Sequence, residues 1–287
     1  MSSWEGKSKG SMLGYRIFVW SLKVFGVKVA YALLYPVTYF YYLFSRKAKT
    51  ALREFYQVVY PANSKHNSLI RKTFLVFGRT LVDRVALGLG MHSSYSFRST
   101  GREFMRESFE KGNGCLLISA HLGNWEIAGN LLEQLQMPIN VVMLDAENKQ
   151  LKSYLQSQNK QATYNVIPIK NDMSHLLGIR IALQRGEIVC IHGDRFVPGA
   201  RTMEATFFGK IAHFPQGPFQ VAAKFRVPYH IVFALKEGKY GYTFSSTPMQ
   251  VSDDPHKIVQ DFVTELEKRV LKHPEQWFNF YNFYAKP

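Results

Sequence analysis

The chain has 287 residues, 46% of them hydrophobic, and a formal net charge of +15 at pH 7. This length and apolar content allow a sizeable core, and the charge favours an acidic partner such as anionic lipid, nucleic acid or an acidic carrier protein. The two cysteines, Cys115 and Cys190, each lie within an apolar run, which argues against a disulfide framework and favours a reducing compartment.

The first predicted element is an uncharged apolar segment at residues 29–44, which is followed by Arg46, Lys47 and Lys49. It is slightly shorter than the ~20 residues of a bilayer-spanning helix and contains Pro36, so a spanning, an interfacial and a buried core helix all fit. If the segment enters a membrane, the basic cluster belongs on the cytoplasmic side. We therefore expect a membrane-associating helix within residues 1–50.

The remainder, residues 51–287, is expected to form one main domain. Residues 52–77 carry apolar side chains at helical spacing among basic ones, which predicts amphipathic helices. Beyond Gly101, short β-rich runs alternate with helical stretches, as in α/β domains. Strands are predicted at residues 115–119, 140–144, 165–169, 188–192, 229–235 and 240–246, and helices at residues 125–136, 147–161, 173–185, 218–226 and 255–272.

The last two predicted strands are joined by the turn sequence Lys-Glu-Gly-Lys at residues 236–239, which predicts a hairpin. The fold class is therefore α/β, with a mixed, largely parallel sheet flanked by helices. Neither G-x-G-x-x-G nor G-x-x-x-x-G-K-[ST] occurs in the sequence, so the usual signatures of a nucleotide cofactor are absent.

The segment from Leu116 to Glu126 is the first candidate for catalysis. A buried strand delivers His121 at its carboxyl end, and Glu126 falls in the first turn of the next helix, at the sheet edge where α/β proteins bind ligands. A carboxylate that returns to the imidazole Nδ1 would hold the tautomer in which Nε2 accepts a proton. The spacing alone fits a structural histidine better, and the strand-end position favours the catalytic interpretation.

The second candidate segment begins at the end of another buried strand, so it should open onto the same edge of the sheet. Three of its charged residues could bind phosphate or fix the loop, namely Asp194, Arg195 and Arg201. Its Phe207-Phe208-Gly209 run could line an acyl groove. A structural salt bridge and a core position, respectively, are the alternatives for these two groups.

Metal binding is not predicted. Cys190 and His192 would need two further ligands, and no nearby spacing supplies them. His192 and the histidines other than His121 are interpreted as structural or solvent-exposed.

These segments resemble the lysophospholipid acyltransferase superfamily, within it the branch of bacterial lipid A late acyltransferases and phosphatidylinositol mannoside acyltransferases. His121 and Glu126 match the H-x4-[DE] motif, the stretch from Gly193 to Pro228 matches the second block, and His-Pro-Glu-Gln-Trp at residues 273–277 matches the closing segment. The tail after Trp277 lacks the arginines common in lipid A enzymes, and Gly-Asp-Arg stands where many of them have Asp-Gln.

The resemblance implies a glycerolipid acyltransferase-like fold with His121 as base and Glu126 as its partner, although Glu204 is a second carboxylate that competes for this role. Asn124 and the charged and aromatic residues of the second segment are the expected substrate contacts. The expected donor is an acyl thioester, with acyl carrier protein favoured over CoA, and the acceptor is a hydroxyl or amine of a lipid.

The expected location is the cytoplasmic face of the bacterial inner membrane, on an anionic surface, with no cofactor, no metal and no nucleic-acid partner. Two alternatives stay open. One is a non-catalytic basic module that binds membrane or nucleic acid, and the other is a thioesterase with water as acceptor.

Overall fold

The structure is a computed structural model that describes residues 12–62, 65–110, 112, 114–127, 137–144, 164–170 and 172–285. The helix predicted at residues 125–136 is described over residues 125–127 only, where it is helical. The helix predicted at residues 147–161 lies outside the described residues.

Three helices form the N-terminal part of the chain: α1 (Met12–Phe44), α2 (Arg46–Val59) and α3 (His66–Gly88). The first extends well beyond the predicted segment, with Pro36 inside it and a kink at Gly26, whose φ of 73° departs from helical geometry. Its stretch from Phe18 to Phe44 is long and apolar enough to cross a membrane.

Helix α1 packs along α3, and the absence of a side chain at Gly78 permits the close approach. A Cβ there would lie 3.0 Å from Thr38 Cγ2 and 3.1 Å from Leu34 Cδ2. The predicted amphipathic helices over residues 52–77 are confirmed as α2 and α3.

A seven-stranded sheet forms the centre of the molecule, with strand order β1-β9-β8-β2-β5-β3-β4. All neighbours are parallel except β8 and β9, which form the predicted antiparallel hairpin. The strands are β1 (Ser96–Thr100), β2 (Cys115–Ser119), β3 (Ile139–Leu144), β4 (Asn165–Ile169), β5 (Ile188–His192), β8 (Tyr229–Glu237) and β9 (Gly241–Ser246). The mixed, largely parallel sheet of the α/β prediction is thus confirmed.

A separate two-stranded hairpin of β6 (Thr202–Phe207) and β7 (Lys210–Pro215) was not predicted. Its turn residues Phe208 and Gly209 have φ values of 49° and 73°, as in the type I′ turn that matches the twist of a hairpin. The second candidate segment is therefore a loop followed by a hairpin.

Four further helices are described: α4 (Arg102–Glu110), α5 (Ser174–Gln184), α6 (Gln216–Phe225) and α7 (Pro255–Lys272). The start of α7 follows from its sequence, since Pro255 occupies the first turn and an Asp254 side-chain oxygen accepts from His256 N at 2.8 Å.

After α7 the chain crosses the carboxyl end of β2. Gly123 N donates to Gln276 O at 2.9 Å, and Phe278 N donates to His121 O at 3.3 Å. Trp277 is 1% exposed and packs against Phe55, with ring centroids 4.5 Å apart. The closing segment is therefore bound directly to the strand end that carries His121.

Candidate active site

The candidate site lies where β2 and β5 end side by side. These strands are parallel neighbours, with Ser119 opposite His192. His121 and Asp194 each follow the last residue of their strand by two positions, so the register brings them together. The side chain of His121 is 21% exposed and that of Asp194 is 1% exposed, which leaves the imidazole accessible and its partner sealed from water.

Asp194 holds His121 through both of its carboxylate oxygens. Oδ1 lies 2.9 Å from His121 Nδ1, and Oδ2 accepts from the backbone N of His121 at 2.9 Å. Because a carboxylate only accepts, Nδ1 carries the proton and the lone pair of the neutral ring is at Nε2. The indole Nε1 of Trp277 lies 3.4 Å from Oδ2.

The carboxyl of Asp194 is ionised despite its burial. Burial by itself raises the pKa of this group, but the charge and hydrogen bond of His121 and the charge of Arg195 lower it more. The net result is a pKa well below the ordinary range of an aspartate, so the site keeps a fixed negative charge behind the imidazole.

The carboxylate on Nδ1 differs from the one that the sequence predicted. Glu126 was assigned this place, but its Oε2 forms an ion pair with Arg84 Nε at 2.6 Å. Glu204, the competing candidate, is an exposed residue of strand β6. The partner of Nδ1 is Asp194, because the β2–β5 register brings its loop closer to the ring than the turn that follows His121.

His192, interpreted from the sequence as structural or solvent-exposed, lies against His121, with the two rings tilted by 36°. The ring centroid of His192 lies 4.4 Å from that of His121. It lies 5.1 Å from the ring centroid of Trp125, which makes an edge contact. Burial, followed by repulsion from His121, lowers the pKa of His192 to about 3. Its buried Nδ1 has no hydrogen-bond partner among the described residues. No local sequence signal could have found this neighbour.

Two predicted substrate contacts, Asn124 and Arg195, have partners within the protein. Asn124 is 1% exposed, and its Nδ2 lies 3.4 Å from Thr80 O, so it joins the turn after β2 to α3. Arg195 donates to Phe278 O at 2.7 Å, and its guanidinium lies 5.9 Å from the ring centre of Tyr281. Arg195 therefore fixes its loop to the closing segment through a backbone carbonyl.

The remaining predicted contacts lie along the hairpin. Phe207 is fully buried in the core, which corrects its assignment to a groove wall, and Phe208 is partly buried against it. Gly209 is an exposed turn residue, and Arg201 is exposed just before β6. Arg201 therefore lies at the base of the hairpin, and Phe208 and Gly209 form its tip.

An apolar cleft adjoins the histidine pair on the described part of the sheet. His192, Trp125 and Glu126 lie at its polar side. Its walls come from four neighbouring strands, with the residues Leu117, Ile139, Val141, Cys190 and Val232. The cleft thus offers an apolar surface beside His192, whose ring lies against that of His121.

The fold and this geometry define an α/β protein with a His–carboxylate pair at the carboxyl end of a mixed sheet. The family of bacterial lipid A biosynthesis acyltransferases matches the chain over residues 9–285. The chain therefore belongs to this family, which confirms the resemblance found in the sequence.

Two curated relatives are named phosphatidylinositol mannoside acyltransferase, from Mycobacterium tuberculosis strain ATCC 25618 / H37Rv and from strain CDC 1551 / Oshkosh. Each is 24% identical over 184 residues. That similarity covers 62% of this chain and 56% of each relative, so the chain spans little more than half the length of these proteins.

Proposed function

We propose that the protein transfers a fatty acyl group from an acyl thioester to a hydroxyl or amine of a lipid at a membrane surface, with His121 as general base. The observation that carries this proposal is the 2.9 Å contact between His121 Nδ1 and the buried Asp194 carboxylate. It fixes the tautomer whose Nε2 accepts a proton. Membership of a family of acyltransferases supports the same reaction class.

In the proposed reaction, Nε2 takes the proton of the acceptor as its oxygen or nitrogen attacks the thioester carbonyl. Asp194 stabilises the imidazolium that forms. The carbon–sulfur bond then breaks, and the imidazolium returns its proton to the leaving thiolate. General-base catalysis of this kind contributes about 10²–10⁴-fold.

Glu126 keeps a place in the proposal through Arg84. The ion pair at 2.6 Å holds a guanidinium beside the cleft, where Glu126 is a wall residue. A cation in this place would suit the phosphate of a carrier's prosthetic arm or of a lipid headgroup. The acyl chain would then occupy the apolar cleft rather than the Phe207–Phe208 pair.

The charge of +15 favours an acidic acyl carrier protein as donor over CoA. The acceptor would be a lipid of the bacterial inner membrane, and the family name and the relatives' names make lipid A precursors and mannosylated phosphatidylinositol the first acceptors to test.

The proposed membrane-facing part is the N-terminal helix region within residues 1–50, joined to an acyltransferase domain at residues 51–287. Much of the apolar surface of α1 is exposed, including Trp20, Phe25, Leu33, Phe40 and Phe44. The next helix begins with Arg46 and Lys47, both exposed. An apolar face bordered by cations suits the cytoplasmic leaflet, whose surface is negative.

The test compares wild type with His121→Ala in an assay of labelled acyl transfer to total bacterial lipid, with acyl carrier protein and CoA thioesters as separate donors. Transfer should be lost in His121→Ala while circular dichroism stays unchanged. His256→Gln, at an exposed position on α7, is the matched control and should retain activity.

Undiminished transfer by His121→Ala would overturn the assignment of the base. Release of free fatty acid without lipid product would favour the thioesterase. Salt-sensitive retention of nucleic acid without release of thiol would favour the non-catalytic module.

A further inference from the structure

Three side chains with metal-binding atoms meet at the ends of β2 and β5. One donor atom from each of His121, His192 and Asp194 lies within 4.8 Å of the other two. His192 and Asp194 are two positions apart in the sequence, and the fold adds His121 from a segment 73 positions before Asp194. The strand register therefore assembles a ligand set that no local spacing displays.

We propose that His121, His192 and Asp194 bind one divalent transition-metal ion, such as Zn²⁺, and that this ion blocks the imidazole of His121. The metal-binding site is inferred from the positions of these three side chains alone. The blocking of acyl transfer rests on the proposed function, because it requires His121 to be the base.

The donor set is the one that Zn²⁺ prefers. Imidazole nitrogens and carboxylate oxygens bind zinc at about 2.0–2.2 Å, which places two donors of a tetrahedral site about 3.4 Å apart. Asp194 Oδ1 and His121 Nδ1 are already 2.9 Å apart. All three donor atoms lie within 4.8 Å of one another, so metal binding would draw the imidazole of His192 toward the other two donors.

A ring nitrogen of His192 gives a second, independent indication of a bound ligand. This atom, Nδ1, is buried and has no hydrogen-bond partner in the part of the chain that the structure describes. A bound cation would satisfy this lone pair without breaking a hydrogen bond to Nδ1. The ion would reach the site through His121, whose side chain is 21% exposed, and solvent would complete its coordination as in open zinc sites.

The three ligand types predict which metal ions bind and that a bound ion inhibits acyl transfer. Two imidazoles and one carboxylate suit Zn²⁺, Co²⁺ or Ni²⁺, whereas Mg²⁺ and Ca²⁺ require mostly oxygen ligands. An ion that binds Nδ1 of His121 displaces the proton from this atom to Nε2, so Nε2 has no lone pair left for the proton of the acceptor, and metal binding and acyl transfer exclude each other.

The experiment uses the full chain without a histidine tag. Zn²⁺ binding is measured by calorimetry, and Co²⁺ binding by the visible absorption of four- or five-coordinate cobalt. Wild type should bind one ion. His192→Gln should bind it at least about 10-fold more weakly, because loss of even an outer partner of a zinc ligand costs about 10–100-fold. His256→Gln should bind as wild type does, and His192→Phe serves if the glutamine variant fails to fold.

Equal Zn²⁺ affinity in wild type and both His192 variants would overturn the site, as would equal affinity for Mg²⁺. In the transfer assay, inhibition of His192→Gln should need at least about 10-fold more Zn²⁺ than inhibition of wild type. Zn²⁺ binding that depends on His192 but leaves transfer unaffected would refute the competition. If wild type transfers no acyl group at all, the proposed function fails, and the cobalt spectrum still decides the metal site.

Discussion

The Asp194 carboxylate contacts two different parts of the same residue. One oxygen contacts the ring of His121 and the other its backbone N, each at 2.9 Å. The carboxylate therefore fixes the rotation of the imidazole relative to its own main chain. A neutral amide in this place would retain the shape but could present an N–H to Nδ1, which would move the ring proton to Nε2 and remove the basic lone pair.

Asp194→Asn should therefore lower acyl transfer by about 10²–10⁴-fold with little change of fold. Glu126→Gln should cost less than about 10-fold, since the carboxylate of Glu126 pairs with Arg84 at 2.6 Å. Initial rates with a saturating donor measure both variants. A larger loss in Glu126→Gln than in Asp194→Asn would return the role of partner to Glu126.

The ring of His230 is fully buried between β8 and α4. Its Nδ1 lies 3.0 Å from Thr247 O and its Nε2 lies 2.8 Å from Ser108 Oγ, so the neutral ring is satisfied on both sides. Burial lowers the pKa of His230 below the ordinary 6.5. Below that pH the unfolded chain takes up a proton that the folded chain resists, so stability falls as the pH drops.

The free energy of unfolding of wild type should thus decrease more steeply between about pH 7.5 and about pH 5.5 than that of His230→Gln. Urea titrations at the two pH values measure the difference. His256→Gln, which removes an exposed ring, should keep the slope of wild type. The same slope in His230→Gln and wild type would contradict the prediction.

The sequence correctly predicted the strand that ends just before His121, but it assigned to Nδ1 a carboxylate other than the one that lies there. A strand end can be read from a short apolar run, as residues 115–119 and 188–192 show. That β2 and β5 are direct neighbours is a property of the tertiary fold, with strand β3 and β4 between them in sequence. Asp194 was therefore predicted as a substrate contact, whereas its contact with His121 was not predicted.

At the scale of elements, a buried polar cluster joins the N-terminal helices to the sheet. Asp83 of α3 is fully buried, and its carboxylate accepts from Tyr31 of α1 at 2.5 Å, from Tyr95 at 2.8 Å and from Tyr242 of β9. Lys236 of β8 donates to it at 2.6 Å. One carboxylate thus binds α1, α3 and two strands together.

Asp83→Asn should destabilise the protein by about 3–5 kcal/mol, because it leaves the ammonium of Lys236 buried without its counter-ion. The double variant with Lys236→Met should recover part of this loss. Glu265→Gln, which breaks the exposed pair of Glu265 and Lys268, should cost no more than about 1 kcal/mol. Denaturant unfolding measures all of them, and equal losses in Asp83→Asn and Glu265→Gln would show that the cluster does not carry this energy.

The hairpin β6–β7 shows why one element was missed. Residues 202–207 alternate in burial with a period of two, so the strand signal was present in Met203, Ala205 and Phe207. The sequence interpretation gave these residues to a substrate loop because charged and aromatic side chains also suit ligands. Strand β1 had no such signal, since four of its five residues are exposed.

The exposed apolar surface of α1 is followed directly by the exposed basic residues of α2. The exposed aromatic side chains of α1 include Phe40 and Phe44, at 56% and 68% exposure. Exposed cations follow directly on α2, among them Lys47 and Arg53. The apolar run was recognised in the sequence, but which of its faces stays uncovered depends on the packing of α1 against α3.

The protein should bind vesicles that contain anionic phospholipid more tightly than neutral ones. At about 1 kcal/mol per basic residue, Lys47→Gln with Arg53→Gln should weaken binding to anionic vesicles by about 30-fold and leave binding to neutral vesicles unchanged. Phe40→Ser with Phe44→Ser should weaken binding to both, because it removes apolar area from the bilayer. Sedimentation with vesicles at low and high salt measures these effects. Lys257→Gln with Lys268→Gln, two exposed cations of α7, is the matched control, and a loss as large as that of the α2 variant would mean that net charge, not the surface beside α1, determines membrane binding.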